Sequence, residues 1–498
     1  MEAKFERKQI AFLDTALSQV LNSEQTMEIK LQEGMPDVGK VLSAWGQPVL
    51  RSKQWQADTV QCSAGMMVWV LYAPEDGSQE QCVEGWIPFQ LSWDLPEDTA
   101  EGTMRLRCLT RFVDGRSTSP RKILVRAGMA VLAEAFVPGT LFPAESKDRP
   151  DAVAMLEHTY PVRLRKEAGE KTFALEEDLR MPESLPKIGR LITWRFQPRI
   201  TDQRVLTDKA VLRGSGNLHV LYQSPEGQIH SWDFDLPFSQ YMELRGEYGG
   251  EARMETALMP TSLELEPGDN GSLEFKGGMT AQYLITDKES LRLVEDVYSP
   301  GWELRVQQEA LTPEVVLENR SENLYGELSL PIGADLIADV QFLPDFPRQR
   351  RTEGAVELET SGQFQVLCYG EDGRLQGTGA RWEGKQTIPA DACCKIAAVP
   401  VWTEAQAVAG NGRILAKAET ALELTTTAEQ VMSMVTGVEL GQQKQADPNR
   451  PSLILRRAGE GCLWDIAKSC GSTVEAIRRA NGLTGEPDSR QMLLIPIP

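Results

Sequence analysis

Apolar positions along this chain alternate far more often than they recur at helical spacing. Met67-Val68-Trp69-Val70-Leu71-Tyr72 and Leu218-His219-Val220-Leu221-Tyr222 are short, β-branched and aromatic, and turn residues bound them. That is the pattern of strands. Glu28-Ile29-Lys30-Leu31 and Glu419-Thr420-Ala421-Leu422-Glu423-Leu424 alternate polar with apolar, as half-buried strands do. Helical periodicity is confined to the two ends. Ile10, Leu13, Leu17 and Val20 recur at spacings of three and four, so residues 4–22 read as an amphipathic helix. Such a helix either packs on the β-domain that follows or serves docking or dimerisation.

The strand pattern repeats over a long period. Val70-Leu71-Tyr72-Ala73-Pro74-Glu75-Asp76-Gly77 returns as Val220-Leu221-Tyr222-Gln223-Ser224-Pro225-Glu226-Gly227, offset by 150 residues. It returns again as Val366-Leu367-Cys368-Tyr369-Gly370-Glu371-Asp372-Gly373, offset by a further 146. Each copy is an apolar strand running into a hairpin turn. A second phrase lies upstream at a fixed distance. It reads Pro36-Asp37-Val38-Gly39-Lys40, Pro186-Lys187-Ile188-Gly189-Arg190 and, degraded, Pro331-Ile332-Gly333. From its proline to the strand valine is 34, 34 and 35 residues. Downstream of each turn come a tryptophan and an apolar-Pro pair: Trp86 with Ile87-Pro88, Trp232 with Leu236-Pro237, and Trp382 with Ile388-Pro389.

Many short strands at turn-punctuated spacing predict a mostly β protein: three β-sandwich or barrel-like domains in tandem. Pro- and Gly-bearing stretches divide it into residues 1–22, then β-domains at 23–145, 151–300 and 305–440. The polar segment 441–451 reads as a flexible linker before a last domain at 452–498.

Composition narrows the function. The 498 residues carry a net charge of −20, from 52 basic and 72 acidic side chains. A chain this acidic repels phosphate backbones, so nucleic acid is not an expected partner. The charge is uneven. From Arg450 onward seven Lys/Arg face five Asp/Glu, a net of +2, which leaves −22 on the first 449 residues. No apolar run approaches the length needed to span a bilayer, and the N-terminus lacks the pattern of a signal peptide, so the expected compartment is cytoplasmic with no membrane insertion. The eight cysteines show no metal spacing and read as reduced thiols.

The tail has its own grammar. Leu453-Ile454-Leu455 reads as a strand. Leu463, Ile466, Ala467 and Cys470 line one face of a helix. Ser472-Thr473-Val474-Glu475 reads as a capping box, Val474, Ile477 and Ala480 as the next apolar face, and Asn481-Gly482 as the stop. Met492-Leu493-Leu494-Ile495-Pro496 closes the module as a strand, giving a βααβ order.

Two resemblances follow from these residues. The repeated unit resembles the SPOCS domain of spore-coat assembly proteins in endospore-forming bacteria. The likeness rests on the Pro-x-apolar-Gly-Lys/Arg phrase, the Val-Leu-Tyr strand, Ile87-Pro88-Phe89 and Leu236-Pro237-Phe238, and covers roughly residues 23–440. The third copy lacks the Phe after Ile388-Pro389. The tail resembles a LysM domain through Leu463-Trp464-Asp465-Ile466-Ala467-Lys468, Thr473-Val474-Glu475-Ala476-Ile477, Ala480-Asn481-Gly482-Leu483 and Leu494-Ile495-Pro496. LysM domains usually grip N-acetylglucosamine-containing glycan between two loops. Here those loops read Glu460-Gly461-Cys462 and Ser489-Arg490-Gln491, without the usual hydroxyl and tight turn, which favours a protein ligand.

The combination resembles a family of clostridial spore-coat morphogenetic proteins whose LysM domain docks on the coat basement-layer ATPase, stage IV sporulation protein A. The resemblance implies a non-catalytic adaptor in the mother-cell cytoplasm, at the developing spore surface, whose β-domains bind other coat proteins. It implies a contact lined by Cys462, Leu463 and Trp464 on one side and Asn481, Gly482 and Leu483 on the other, with Trp464 as anchor. The alternative is a peptidoglycan or cortex binder acting through LysM. Catalytic signatures are missing: His158, His219 and His230 accompany no nucleophile or H-E-x-x-H motif, and Gly214-Ser215-Gly216 is not a nucleophile elbow. Neither cofactor nor metal is expected.

Overall fold

A computed structural model of the chain describes residues 2–148, 150–268, 271–391, 393–445 and 450–497. The chain opens with β1 (Glu2–Ala3) and β2 (Phe5–Arg7). Six long strands follow: β3 (Ile10–Lys30), β4 (Val38–Gln56), β5 (Thr59–Pro74), β6 (Gln81–Asp94), β7 (Thr103–Ser119) and β8 (Lys122–Leu141). After β9 (Ala144–Ser146) comes a second set: β10 (Ala154–Arg180), β11 (Arg190–Val205), β12 (Lys209–Gln223), β13 (Ile229–Glu243), β14 (Arg253–Pro267) and β15 (Ser272–Tyr298). β16 (Trp302–Leu311) leads to a third: β17 (Glu314–Leu330), β18 (Leu336–Pro344), the short β19 (Arg348–Thr352), β20 (Ala355–Tyr369), β21 (Leu375–Pro389), β22 (Cys394–Gly410) and β23 (Arg413–Glu429). β24 (Met432–Gln443) precedes the tail of β25 (Leu453–Arg457), α1 (Leu463–Cys470), α2 (Val474–Asn481) and β26 (Met492–Pro496). The fold is mostly β, with two short helices among the described residues.

One connectivity recurs in all three sets. Strands two, three and four form a meander (β4-β5-β6, β11-β12-β13, β18-β20-β21), and strands one, six and five form a second sheet (β3-β8-β7, β10-β15-β14, β17-β23-β22). The two sheets meet at both margins, second strand beside fifth and first beside fourth, which makes each unit a flattened barrel. Bulges recur too. The first strand skips Ala16, Lys166 or Leu317; the second skips Leu42, Ile192 or Ala338. Each bulge bends its strand at a barrel margin.

The repeated phrases now have a physical role. Tyr72 donates its hydroxyl hydrogen to the Pro36 carbonyl at 3.0 Å, and Tyr222 does the same to Pro186 at 3.1 Å. Both rings are fully buried. Gly39 and Gly189 lie flat on the backbone that follows each tyrosine strand, where an added Cβ would sit 3.0 Å from main-chain atoms. Gly77, Gly227 and Gly373 occupy the left-handed region (φ +73°, +91° and +71°) that these hairpin turns require. In the third copy Cys368 takes the tyrosine's place in the core, and Tyr369, one residue on, faces outward. Its hydroxyl accepts from the Ile229 amide at 3.1 Å, so the clamp of one unit becomes a tie to its neighbour.

The units share an interior. Alternate residues of β5, from Val60 to Tyr72, fill the first barrel, and its Val and Met side chains contribute roughly 1.5–3 kcal/mol each by burial. Trp69 and Leu71, on the opposite face of that strand, are buried against the second unit, with Trp69 edge-on to Trp194 at 5.3 Å. At the three-way junction the bulge of β18 presents Asp339. Its carboxylate accepts from Trp45 of the first unit at 3.2 Å and from Arg195 of the second at 3.1 Å through both oxygens, and it lies 3.1 Å from His219 Nε2. Arg105 pairs with Glu134 inside the first unit (2.7 Å), and Arg107 reaches Glu423 of the third at 2.9 Å.

A fourth body lies between the barrels. β1, β24 and β16 form one small sheet and β2 pairs with β9. They pack around the ends of β10 and β15 through Val294, Val297, Val435 and Val438. β16 and β24, at the margins of the 305–440 span, therefore pair with each other rather than within the third barrel. β10 and β15, each 27 residues long, run through both the second barrel and this body.

The N-terminal helix expected at 4–22 is corrected by the structure. These residues form β2 and the first half of β3. β3 carries apolar residues on both faces. Across the bulge at Ala16, Ile10 and Leu17 fall on one face and Leu13 and Val20 on the other, and the two sets interleave at spacings of three and four, imitating a helix. The strand partner decides the matter. β8 is buried on both faces over Ala127–Phe136 and needs a ladder on each side, which β3 and β7 supply. Of the linker placed at 441–451, the first residues complete β24, and residues 446–449 lie outside the described residues.

Candidate functional site

The tail is a compact module. Leu463, Ile466 and Ala467 of α1 and Ile477 of α2 bury against Leu493 and Ile495 of β26. The second helix starts at Thr473, whose hydroxyl accepts from the Ala476 amide at 3.1 Å. The cap thus sits one residue later than the box read from Ser472 and Glu475. Ser472 is buried, and its hydroxyl donates to the Pro496 carbonyl instead.

The six residues expected to line a contact have separate fates. Cys462 is exposed at the N-cap of α1 and caps nothing; its thiol donates to Asp465 at 3.1 Å. The open Leu463 amide is taken by Glu486, at 2.8 Å from across the crease between the two loops. A cysteine at an N-cap is a weak acceptor, so the sequence carried a signal that another residue must cap, though not which one. Leu463 is a core residue. Asn481 ties helix to strand: its amide donates to Ile477 and Leu494 carbonyls (2.8 and 2.6 Å), and its oxygen accepts from the Leu494 amide at 2.8 Å. Gly482 ends α2 in the left-handed conformation, and Leu483 half-buries beneath it.

Trp464, expected as the anchor of a partner contact, faces the body of the same chain. Its indole donates to Asp296 of β15 at 2.8 Å, and its ring stands edge-on to Tyr298 at 4.7 Å. Lys468, one turn on, completes the grip with contacts of 2.6 and 2.8 Å to the same carboxylate. Burial raises the Asp296 carboxyl, but the Lys468 and Trp464 hydrogen bonds outweigh it and hold the group below its ordinary value. Burial pushes Tyr298 up to about 12. Asp296 and Tyr298 end a strand some 170 residues away from Trp464, beyond the reach of local pattern reading.

The expected consequence is specific. Trp464→Ala should weaken the seat of the module on β15 by about 2–3 kcal/mol, an aromatic contact plus a charge-assisted hydrogen bond. Tryptic cleavage at Lys444 should then rise by more than about tenfold. Asp296→Asn, which leaves the module's own core whole, should raise it too; unchanged cleavage in both would show that the module is held elsewhere.

The histidines are absorbed by the architecture. His219 lies between Asp233 (2.9 Å) and Asp339, and His158 and His230 lean on Tyr160 and Tyr222. No group of three or more His, Cys, Asp or Glu among the described residues is placed to hold a metal. No described helix is long and apolar enough to cross a membrane.

Against known proteins, residues 187–264 match the family model described as "SipL, SPOCS domain". The span takes in β11, β12, β13 and most of β14, four of the six strands of the second barrel. It includes the Gly189-Arg190 phrase, the clamp tyrosine Tyr222 and Leu236-Pro237-Phe238. The chain therefore carries a sporulation-associated domain, of a kind not known as an enzyme family, within a mostly β architecture. No curated protein and no solved structure matches the chain.

Proposed function

We propose that this protein is a non-catalytic scaffold of spore-coat assembly in the mother-cell cytoplasm. Its β-units bind coat components, and its C-terminal module, which resembles a LysM domain, docks on the coat basement-layer ATPase. The observation that carries this reading is the SPOCS-domain match in the central barrel. Three features support it. The barrels direct their buried ionic groups at one another, as a rigid frame does. The module carries a net charge of +2 on a chain that is acidic as a whole. The crease where a glycan would lie is crossed by the Glu486 carboxylate and has no aromatic side chain in its two loops, Ala458–Cys462 and Gly482–Gln491, on which a sugar could stack.

Deleting residues 450–498 tests it. The shortened chain should keep its barrels and lose co-purification with the ATPase; retained co-purification ends the adaptor reading. Retention of the intact chain on purified peptidoglycan, lost on the same deletion, would point to wall binding instead.

A further inference from the structure

The way the module sits on the body leaves one of its surfaces with no covering. α1 grips β15 through Trp464 and Lys468, and the helices cover only one face of the β25–β26 sheet. Ile454, Leu493 and Ile495 point to that face. The other face carries three cross-strand pairs: Leu453 with Pro496, Leu455 with Leu494, and Arg457 with Met492. Its apolar members are open to solvent, with Leu453 50% exposed, Leu455 63%, Met492 51% and Leu494 39%. A two-stranded sheet solvated on one face is expected to be polar there, whereas this one is apolar on both.

The edges differ as well. The outer edge of β26 is closed: Asn481 takes both the amide and the carbonyl of Leu494, and Ser472 takes the carbonyl of Pro496. Because Leu494 turns its backbone away from β25, its opposite number Leu455 must turn away from β26. Leu453 and Arg457, two residues to either side, share that phase. The Ile497-to-Ser452 and Ala458-to-Gln491 bonds confirm it, since they fall on the intervening parity. β25 has no second strand neighbour among the described residues. The amides and carbonyls of Leu453, Leu455 and Arg457 therefore line an open edge. Arg457 makes no ion pair among the described residues.

From this we infer that β25 is a strand-addition site. Its occupant is an extended segment of the protein partner, with apolar side chains alternating onto the Leu453–Leu455–Leu494–Met492 face and a carboxylate beside Arg457. An open backbone edge selects a strand over a helix, and the lone arginine selects acidic over basic flanks. The inference rests on the adaptor reading and moves its contact surface: the partner meets the outer strand, while Trp464 holds the module to the body.

The test uses the full-length chain titrated against the coat ATPase. Leu455→Pro removes one outward amide and one apolar side chain, leaving the β25–β26 ladder intact; Leu494→Lys alters the face from the other strand; Arg457→Glu reverses the charge. Each should weaken binding by about tenfold or more. Amide hydrogen exchange at Leu453, Leu455 and Arg457 should slow in the complex. Leu494→Lys covers the case in which Leu455→Pro disturbs the module. Full binding by all three variants, with binding still lost on deletion of 450–498, overturns strand addition and leaves the adaptor reading standing. Loss with Leu494→Lys but no slowing of exchange at the β25 amides also overturns it, in favour of a partner that covers the face only. Binding that survives the deletion defeats both.

Discussion

Replacing Asp339 with alanine should cost the chain about 3–5 kcal/mol of stability, read as a lowered denaturation midpoint. The carboxylate is buried where the three barrels meet, and it is the common acceptor for Trp45, Arg195 and the His219 contact. Removing it leaves the Arg195 guanidinium with the Val340 carbonyl and the His219 imidazole with Asp233, without the buried carboxylate that both shared, which is costlier than losing a surface pair. Asp339→Asn keeps an acceptor but loses the charge, and its effect should fall between wild type and alanine. The junction also sets a pH window. Burial raises the Asp339 carboxyl, but Arg195 and His219 more than reverse this and hold it far below its ordinary value. That contribution is present above about pH 4 and is lost as pH falls toward the folded value. Burial and Arg195 press His219 toward its neutral form, yet Asp233 and Asp339 prevail and raise it. Its contribution is complete below about pH 6.5 and is lost as pH rises through the folded value. Denaturation midpoints measured across pH should therefore decline on both sides, and Asp339→Ala should flatten both declines.

Glu167→Ala should be nearly as costly, about 3–4 kcal/mol, because one buried carboxylate gathers a whole loop. At the bulge of β10 its two oxygens accept from the Arg245 amide at 3.0 and 3.1 Å and from Gly246 at 3.1 Å. The Tyr248 and Tyr283 hydroxyls donate to it at 3.0 Å each. Burial raises this carboxyl, but the Arg245 and Gly246 amides and both tyrosines outweigh it and lower it. Tyr248 is pushed above its ordinary value by burial and by the same carboxylate, and Tyr283 likewise, up to about 12. Alanine leaves four donors without an acceptor. The loop after β13 should loosen, and trypsin should cut after Arg245 in the variant well before it cuts wild type. Glu167→Gln, with one acceptor oxygen and no charge, should lose roughly half as much. Equal tryptic lifetimes for all three chains would show that the loop is held by other contacts.

Strand content was legible because alternation survives in a single sequence, and so was the recurrence of the proline, glycine and tyrosine phrases. What those phrases do was not legible: the Tyr72-to-Pro36 bond joins a strand residue to the loop before β4, 36 residues away, and only the fold brings them together. A strand apolar on both faces was the main source of error: around the skipped Ala16, Ile10 and Leu17 face one way and Leu13 and Val20 the other, and the interleaved sets look helical. In the module the helix faces were readable, but the contacts of Trp464 were not, because its partners Asp296 and Tyr298 belong to another body. The Asp339 junction left no trace in the pattern, as a lone acid in an acidic chain has no distinguishing context.

The pair β10 and β15 has a mechanical corollary. A 27-residue strand has a contour of roughly 90 Å, and these two stay paired end to end apart from two bulges. The module hangs on the far end of that ribbon, at Asp296 and Tyr298. A tug on the module along the ribbon would load the rungs in shear, many at once, rather than unzip them singly. A layer tethered through this tail would then transmit tension into the central barrel while that barrel stays folded.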